Sequence, residues 1–284
     1  MNSRLAAAAA LAAALTLTLT ACSGDEADTD ASAPGVTVSH IHGLGLDPSD
    51  QRLYVATHEG VYTPDAQGKP TLVGDSKDDF MGFTVAGPKT FYASGHPTTG
   101  GNKGLIKSTD AGKTWKSLSL SGKSDFHALD YVHDTVYGYD STGGLLRTSK
   151  DGKTWKDGAS VQALDITVSP EDPGLLLATT AEGVARSTDS GKTFTAGQQP
   201  MMAFLSWPTK DALYGIDTAG TLHRSTDGGT TWRQTGTVPG GQPQALTAAG
   251  TDHILAATQT GVYESKDGGK TFTRRLDVGV SGEN

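Results

Sequence analysis

From about residue 36 onward, the chain alternates short apolar runs with polar, glycine-rich turns, and no run carries a helical period. The clearest runs are Leu53–Ala56 (LYVA), Thr90–Ala93 (TFYA), Thr135–Gly138 (TVYG), Leu175–Ala178 (LLLA), Ala212–Gly215 (ALYG) and Ile254–Ala257 (ILAA). Most carry β-branched or aromatic residues, which suit a pleated and largely buried surface, so each is read as a strand. They recur about every forty residues. One such interval holds four short strands and their turns, so the pattern predicts an all-β chain of six similar units.

A second repeat runs in step with the first. Five segments share a spacing of Ser, Asp, Gly, Thr and an aromatic: Ser108–Trp115, Ser149–Trp155, Ser187–Phe194, Ser225–Trp232 and Ser265–Phe272. Their aspartates, Asp110, Asp151, Asp189, Asp227 and Asp267, lie 41, 38, 38 and 40 residues apart. The second copy is one residue short, and a weaker sixth copy lies at Thr63–Lys69 around Asp65. An aspartate closes a turn by accepting a backbone N–H two residues on, and glycine supplies the positive φ such a turn needs. The aromatics Trp115, Trp155, Phe194, Trp232 and Phe272 then open the next strand and pack back over the hairpin. These aspartates are therefore read as structural staples.

The spacing resembles the Asp-box, or BNR, repeat. The resemblance, with the forty-residue period, implies a β-propeller over residues 36–284, built of about six four-stranded blades with Asp-box turns. An open β-solenoid or a seven-bladed ring is the alternative.

The start of the chain reads differently. A short positive segment ending at Arg4 precedes an apolar, Ala- and Leu-rich run from Leu5 to Leu19, and the sequence then reads Leu-Thr-Ala-Cys up to Cys22. This is the pattern of a secretory signal. Its end resembles the lipobox of bacterial lipoproteins, which implies removal of residues 1–21 and acylation of Cys22. Cys22 is the single cysteine in the chain, so no disulfide within the chain can support the fold. An uncleaved anchor is disfavoured because the apolar run falls short of the roughly 20 residues a spanning helix needs. Residues 22–35 are small and acidic with almost no apolar side chains, and are expected to form a disordered tether. The expected location is the outer face of a bacterial membrane.

Charge narrows the partners. The formal net charge is −8, without basic clusters, which argues against nucleic acid and against electrostatic docking on anionic lipid. A monomer is expected, with the membrane reached through the lipid and a small ligand, a glycan or a protein as partner.

Candidate chemistry comes from aligning the units on their first strands. These starts read His42-Gly43-Leu44, Met81-Gly82-Phe83, His127-Ala128-Leu129, Gln162-Ala163-Leu164, Met202-Ala203-Phe204 and Gln244-Ala245-Leu246. The middle residue is always Gly or Ala, as expected where blades converge near an axis. The residue before it is predicted to ring the channel. The second strand returns to the same end and delivers His58, His96, Asp140 and Asp217 there, whereas the Asp-boxes belong at the opposite end. His40, His42, His58, Met81, His96 and His127 are thus predicted at one mouth. Imidazoles with thioethers form a soft-to-borderline ligand set that suits copper, or zinc through the histidines alone.

Two other functions compete with metal binding. Asp-box repeats occur in sialidases, so the resemblance implies glycoside hydrolysis. That family's pattern requires an Arg-Ile-Pro segment, three convergent arginines and a Tyr/Glu pair. Arg-Ile-Pro is absent, and Arg147, Arg186 and Arg224 are expected at the far end with the boxes. Asp79, Asp125, Asp140 and Asp217 are the carboxylates able to reach the mouth, with Tyr139-Asp140 the weak catalytic candidate of a different hydrolase. Asp-box repeats also resemble photosystem II assembly factors, which leaves a protein scaffold as the third reading.

Overall fold

The computed structural model describes residues 38–278. The expected signal peptide of residues 1–21, Cys22 and the tether of residues 22–35 lie outside the described residues. Within the described residues the fold is a six-bladed β-propeller without helices.

Blade 1 is formed by β1 (Ile41–Leu46), β2 (Leu53–Thr57), β3 (Gly60–Pro64) and β4 (Pro70–Leu72). Blade 2 follows with β5 (Asp79–Gly87), β6 (Thr90–His96), β7 (Leu105–Ser108) and β8 (Lys116–Ser119). Blade 3 holds β9 (Phe126–Val132), β10 (Thr135–Asp140), β11 (Leu145–Ser149) and β12 (Lys156–Ser160). In blade 4, β13 (Ile166–Val168), β14 (Leu176–Thr180) and β15 (Gly183–Ser187) make a three-stranded sheet, and the fourth strand is reduced to one bridge between Val184 and Gln198. Blade 5 consists of β16 (Phe204–Thr209), β17 (Ala212–Ile216), β18 (Thr221–Ser225) and β19 (Arg233–Thr237). Blade 6 consists of β20 (Pro243–Ala248), β21 (Ile254–Thr258), β22 (Gly261–Ser265) and β23 (Thr273–Asp277).

Every blade is an antiparallel meander of sequence neighbours. The innermost strands touch in circular order, and β20 meets β1, so the ring closes by packing of the last blade on the first. The closing seam buries Ile41, Leu53 and Val55 of blade 1 against Leu255, Val262 and Leu276 of blade 6. Backbone bonds from Val38 N–H to Val278 O (3.1 Å) and from Asp277 N–H to Gly68 O (3.1 Å) complete it.

The hydrophobic core lies between the blades. Each cluster joins one blade's face to the next, as where Tyr54 and Val61 of blade 1 meet Phe80, Phe91 and Ile106 of blade 2. This follows from strands whose second members are buried on both faces, the β2 pattern being buried at all of its five positions. The small residues of the first strands have the expected reason. A Cβ on Gly43 would stand 2.8 Å from Phe83 Cβ, and one on Gly82 would stand 2.4 Å from the Phe126 carbonyl oxygen, so only glycine lets these inner strands approach.

Polar groups also run round the axis. At every junction a side chain of one blade accepts a backbone N–H from the next. The acceptors are Asp47 for Lys89 (2.9 Å), Ser94 for Phe126 (3.0 Å) and Asp130 for Val168 (3.0 Å), then Asp165 for Leu205 (2.8 Å), Ser206 for Ala248 (2.9 Å) and Gln244 for Ile41 (3.1 Å). A buried N–H without such a partner would destabilise the ring, so each bond satisfies the backbone and fixes blade spacing together.

The repeated aspartate turns connect third to fourth strands, at the end away from the mouth. In the first copy Ser108 Oγ donates to Asp110 (2.7 Å) and accepts Gly112 N–H (2.8 Å), while Asp110 accepts Thr114 N–H (2.9 Å) and Thr114 Oγ1–H (2.6 Å). Ala111 and Gly112 take positive φ of 63° and 83°, which turns the chain between these anchors. Burial raises the Asp110 carboxyl, but the bonds from Thr114 and Ser108 outweigh it and hold the group at about 2. The shortened second copy has the same logic, with Asp151 accepting Lys153 N–H (2.8 Å) and Thr154 N–H (2.7 Å). The weaker sixth copy is a turn of this kind as well, Asp65 accepting Gln67 and Lys69 N–H at 2.8 Å each. The following aromatics fold back onto the first strand of their own blade: Trp115 lies 5.1 Å from Phe80 and Trp155 stacks 4.9 Å from Phe126, ring centre to ring centre.

Candidate functional site

The innermost strands enclose an axial channel of about 370 Å³, and His42 and His127 stand in its wall at the mouth. The mouth is lopsided. Blades 1 to 3 present imidazoles and carboxylates, whereas blade 4 presents the side chain of Leu164, 56% exposed.

The first group of side chains belongs to blade 1. His40 immediately precedes β1 and His42 is its second residue, so both point to one side of the extended chain. Their rings stack at 4.8 Å and 16°. His58, just beyond the end of β2, meets His42 edge-on at 4.4 Å, and its ring nitrogens lie 3.3 and 3.4 Å from His42 Nε2. One ring nitrogen from each of His40, His42 and His58 falls within 4.8 Å of the others. Asp79, the first residue of β5, closes the group from blade 2: its Oδ1 lies 3.1 Å from His58 Nδ1 and 4.0 Å from His42 Nε2.

Burial and neighbouring imidazoles keep His40 and His42 neutral. Burial lowers the His42 pKa most, followed by His58, His40 and His127 beside it, and the value falls to about 3. Burial and His58 also lower that of His40. A neutral imidazole offers a lone pair, so His40 and His42 are poised to coordinate a cation without first losing a proton.

The second group spans the junction of blades 2 and 3. Asp125 immediately precedes β9, His127 is the second residue of that strand, and His96 ends β6. Asp125 Oδ2 lies 2.7 Å from His127 Nε2 and 3.5 Å from His96 Nε2, and it accepts Ser141 Oγ–H at 3.0 Å. His96 Nδ1 donates to Gly101 O at 3.0 Å, which leaves Nε2 with the lone pair. The bond to Asp125 raises the His127 pKa despite burial. Burial pushes the Asp125 carboxyl up, but His127, His96 and Ser141 together bring it below its ordinary value. The two groups sense one another, since His127 helps depress His42 and Asp79 supports the protonated form of His127.

The remaining predicted residues separate from these groups. Met81 is half-buried on β5, two residues after the Asp79 carboxylate that meets His58. Asp140 is 2% exposed and holds the Asp125 loop, accepting Asp125 N–H (3.1 Å) and Thr142 N–H (3.2 Å). Tyr139 is buried among Leu146, Ile166 and Leu176 in the core between blades 3 and 4. Met202, read as a ring residue, is instead 2% exposed and belongs to the core cluster of Leu177, Leu205 and Leu213 between blades 4 and 5. Gln244 serves the closing seam through Ile41. Asp217 forms a turn, accepting Ala219 and Thr221 N–H at 2.9 Å each.

One expectation about the arginines is corrected. Arg186 and Arg224 stay at the far end, bonded to Gly228 O and Asp211 O. Arg147, however, sits mid-strand on β11, and its long side chain reaches back to Asp140 Oδ2 (3.4 Å) and Ser124 Oγ (3.4 Å) beneath the mouth.

The feature that links sequence to site is an offset of two. Aligned on the ring position, the residues two before it are His40, Asp79 and Asp125, and the returning second strands bring His58, His96 and Ser141 opposite them. The Asp79 and Asp125 carboxylates are thus the members of the site whose pairing with imidazoles was missed, although the alternation of a strand already placed them on the same side as the ring residues.

Comparisons with known proteins address the fold. A family model described as the DUF6242 beta propeller domain matches residues 203–282. A xyloglucanase of Paenibacillus sp is 28% identical over 187 residues, which is 59% of this chain and 17% of that protein. The GH74 xyloglucanase from Xanthomonas campestris superposes with a TM-score of 0.57 at 18% identity, covering 85% of this chain and 46% of that one. Virginiamycin B lyase from Staphylococcus aureus gives 0.57 at 14% identity, covering 80% of this chain and 83% of that one. The chain therefore spans less than a fifth of the Paenibacillus xyloglucanase it matches, and the structural likenesses carry the conclusion that this is a β-propeller related in architecture to the GH74 enzymes.

Proposed function

We propose that this protein is a membrane-tethered, extracytoplasmic metal-binding propeller, which holds a divalent transition-metal ion at its channel mouth on His40, His42 and His58. The observation that carries this reading is the convergence of three imidazoles, one ring nitrogen each within 4.8 Å, on one side of a rigid ring. Imidazole suits zinc, copper, nickel and iron, and a set without a thioether favours Cu²⁺ or Zn²⁺ over Cu⁺. Asp79 beside His58 and His42 supports the site as a charge partner for the bound cation. The tether reading rests on the lipobox-like Leu-Thr-Ala-Cys sequence, with Cys22 as the acylated residue. The five turns of Ser-x-Asp-x-Gly-x-Thr-aromatic type support assignment of the repeat to the Asp-box class.

The test is metal analysis of protein purified without an affinity tag, followed by titration of the chelator-treated protein with Cu²⁺ and Zn²⁺. A stoichiometric ion that is lost in His42→Ala/His58→Ala supports the reading. Absence of any ion, with no heat or spectral change on titration, refutes it.

A glycan-processing reading has one observation in its favour: Asp79 and Asp125 present two carboxylates at the same mouth, in a chain 28% identical over 187 residues to a xyloglucanase. Hydrolysis of xyloglucan by the metal-free protein, abolished by Asp79→Asn or Asp125→Asn, would place it ahead of metal binding.

A further inference from the structure

The imidazole trio accounts for half of the polar mouth. The other half, across the junction of blades 2 and 3, differs in chemistry. We propose that His96, Asp125 and His127 form a second, separate metal site, which takes a divalent first-row ion of the kind bound by two imidazoles and one carboxylate.

Three observations carry this. The donors converge, with ligand atoms of His96, Asp125 and His127 all within 4.8 Å of one another. The carboxylate at the centre is incompletely satisfied: Asp125 is buried, and its Oδ1 has no hydrogen-bond partner among the described residues. A buried carboxylate oxygen without a donor is costly, and a cation supplies what is missing.

The surroundings are also built as a metal site's outer layer is built. A ligating histidine usually gives its other ring N–H to a carbonyl or carboxylate, which sets tautomer and direction. His96 does so toward Gly101 O at 3.0 Å. Asp125 is fixed by Ser141 Oγ–H, which donates to Oδ2 (3.0 Å), and by its own N–H, which donates to Asp140 (3.1 Å). Gly95 lets the chain deliver His96: its φ is 141°, and a Cβ there would stand 2.0 Å from the Asp79 carbonyl oxygen.

This site and the trio are distinct in donor set and in position. The trio is all-nitrogen and drawn from blade 1. The second set mixes nitrogen and oxygen across two blades, an arrangement that suits Zn²⁺, Fe²⁺ or Mn²⁺. Three protein ligands leave coordination positions unfilled, as in reactive rather than structural sites. Because His127 lines the channel, those positions are accessible to a small oxygen-donor ligand entering the mouth. Asp79 lies between the two, touching His58 and acting electrostatically on His127. The inference deepens the proposed function but does not stand or fall with it.

The experiment is titration of the chelator-treated, full-length protein with Co²⁺ and Zn²⁺, followed by calorimetry and by the visible Co²⁺ spectrum. Two ions per chain are expected. His96→Ala/His127→Ala should bind one, with the spectrum of the trio site unchanged, and His42→Ala/His58→Ala should bind one with the complementary spectrum. A wild type that binds one ion, lost in either double variant, means a single shared site and overturns this inference while leaving metal binding intact. Two ions retained in His96→Ala/His127→Ala overturn it as well, and no binding at all refutes both proposals. Should the double variant fail to fold, Asp125→Asn gives the same reading, since it keeps the Ser141 bond and removes the charge.

Discussion

Asp79 Oδ1 of blade 2 lies 3.1 Å from His58 Nδ1 of blade 1, so one carboxylate ties the imidazole trio to the neighbouring blade. The contact exists because β5 begins at Asp79 just where β2 delivers His58, at the same end of two consecutive blades packed face to face. Asp79 is therefore expected to orient His58 and to offset the charge of a bound cation. Asp79→Asn should weaken Cu²⁺ or Zn²⁺ binding at the trio by about 10- to 100-fold, the range seen for outer partners of metal ligands. Calorimetric titration of wild type and variant checks this, and equal affinities would show that the carboxylate is a bystander.

Blade convergence makes a different demand. A methyl group on Gly82 would stand 2.4 Å from the Phe126 carbonyl oxygen and 3.1 Å from Leu129 Cγ. Backbone is the nearer obstacle, and it cannot swing aside as a side chain can. Gly82→Ala should thus force blades 2 and 3 apart, at a cost of about 1–3 kcal/mol. Since His96 and Asp125 sit on the two sides of that junction, the same variant should also loosen the second ion. Chemical denaturation together with Co²⁺ titration separates the two effects.

The repeat was legible because its signals are local. The aspartate turns need Ser, Asp and Gly at fixed offsets, and the inner strands need Gly or Ala at one position, so the six units announce themselves in order. The reduced fourth strand of blade 4 was not legible. After Phe194 the chain reads Thr-Ala-Gly-Gln-Gln-Pro, and only Gln198 pairs, with Val184. At the mouth, alignment on the ring position found the histidines but gave no sign that Asp79, two residues before Met81 on the same side of the strand, pairs with His58. Met202 shows the opposite failure, a residue of the right register that the packing of Leu177 and Leu213 draws into the core. Arg147 failed for a third reason, since a long side chain can reach an end of the strand other than the one its sequence neighbours suggest. In each case the deciding contact joins different blades, and no local pattern encodes it.

The aspartate turns should be separable from the site. Ser265 is 1% exposed, and its Oγ accepts the buried Gly269 N–H at 2.8 Å while donating to Asp267 at 2.8 Å. Ser265→Ala leaves that N–H without a partner and should destabilise the protein by about 1–3 kcal/mol. Metal stoichiometry and affinity should not change, because the turn lies at the opposite end of blade 6. Loss of metal binding in a folded Ser265→Ala protein would contradict the assignment of these turns to scaffold.

The lipid address can be tested apart from the ring. If Cys22 is the acylated residue, Cys22→Ser should move the protein from the membrane fraction to the soluble extracytoplasmic fraction and abolish incorporation of labelled fatty acid. Retention of the variant in washed membranes would indicate a different mode of attachment. Metal binding of the released protein should match wild type, because Cys22 precedes the ring in sequence and contributes no ligand to either proposed set.

The channel wall carries its own pH dependence. Asp165 accepts Leu205 N–H at 2.8 Å across the junction of blades 4 and 5. Burial raises its carboxyl pKa from 3.8 to about 7, and nearby Asp130 adds to the rise. Between these values the folded chain keeps a proton that the unfolded chain has released. Its contribution to stability is therefore complete below about pH 4 and is lost as pH rises through 7. The span corresponds to at most about 4 kcal/mol at 1.36 kcal/mol per unit. Asp165→Asn keeps an oxygen for Leu205 N–H but cannot ionise. Its denaturation midpoint should thus vary less between pH 5 and 8 than that of wild type, and its relative stability should rise toward alkaline pH. Parallel pH dependences for the two proteins would show that Asp165 ionises alike in the folded and unfolded chain, and that the junction tolerates its charge.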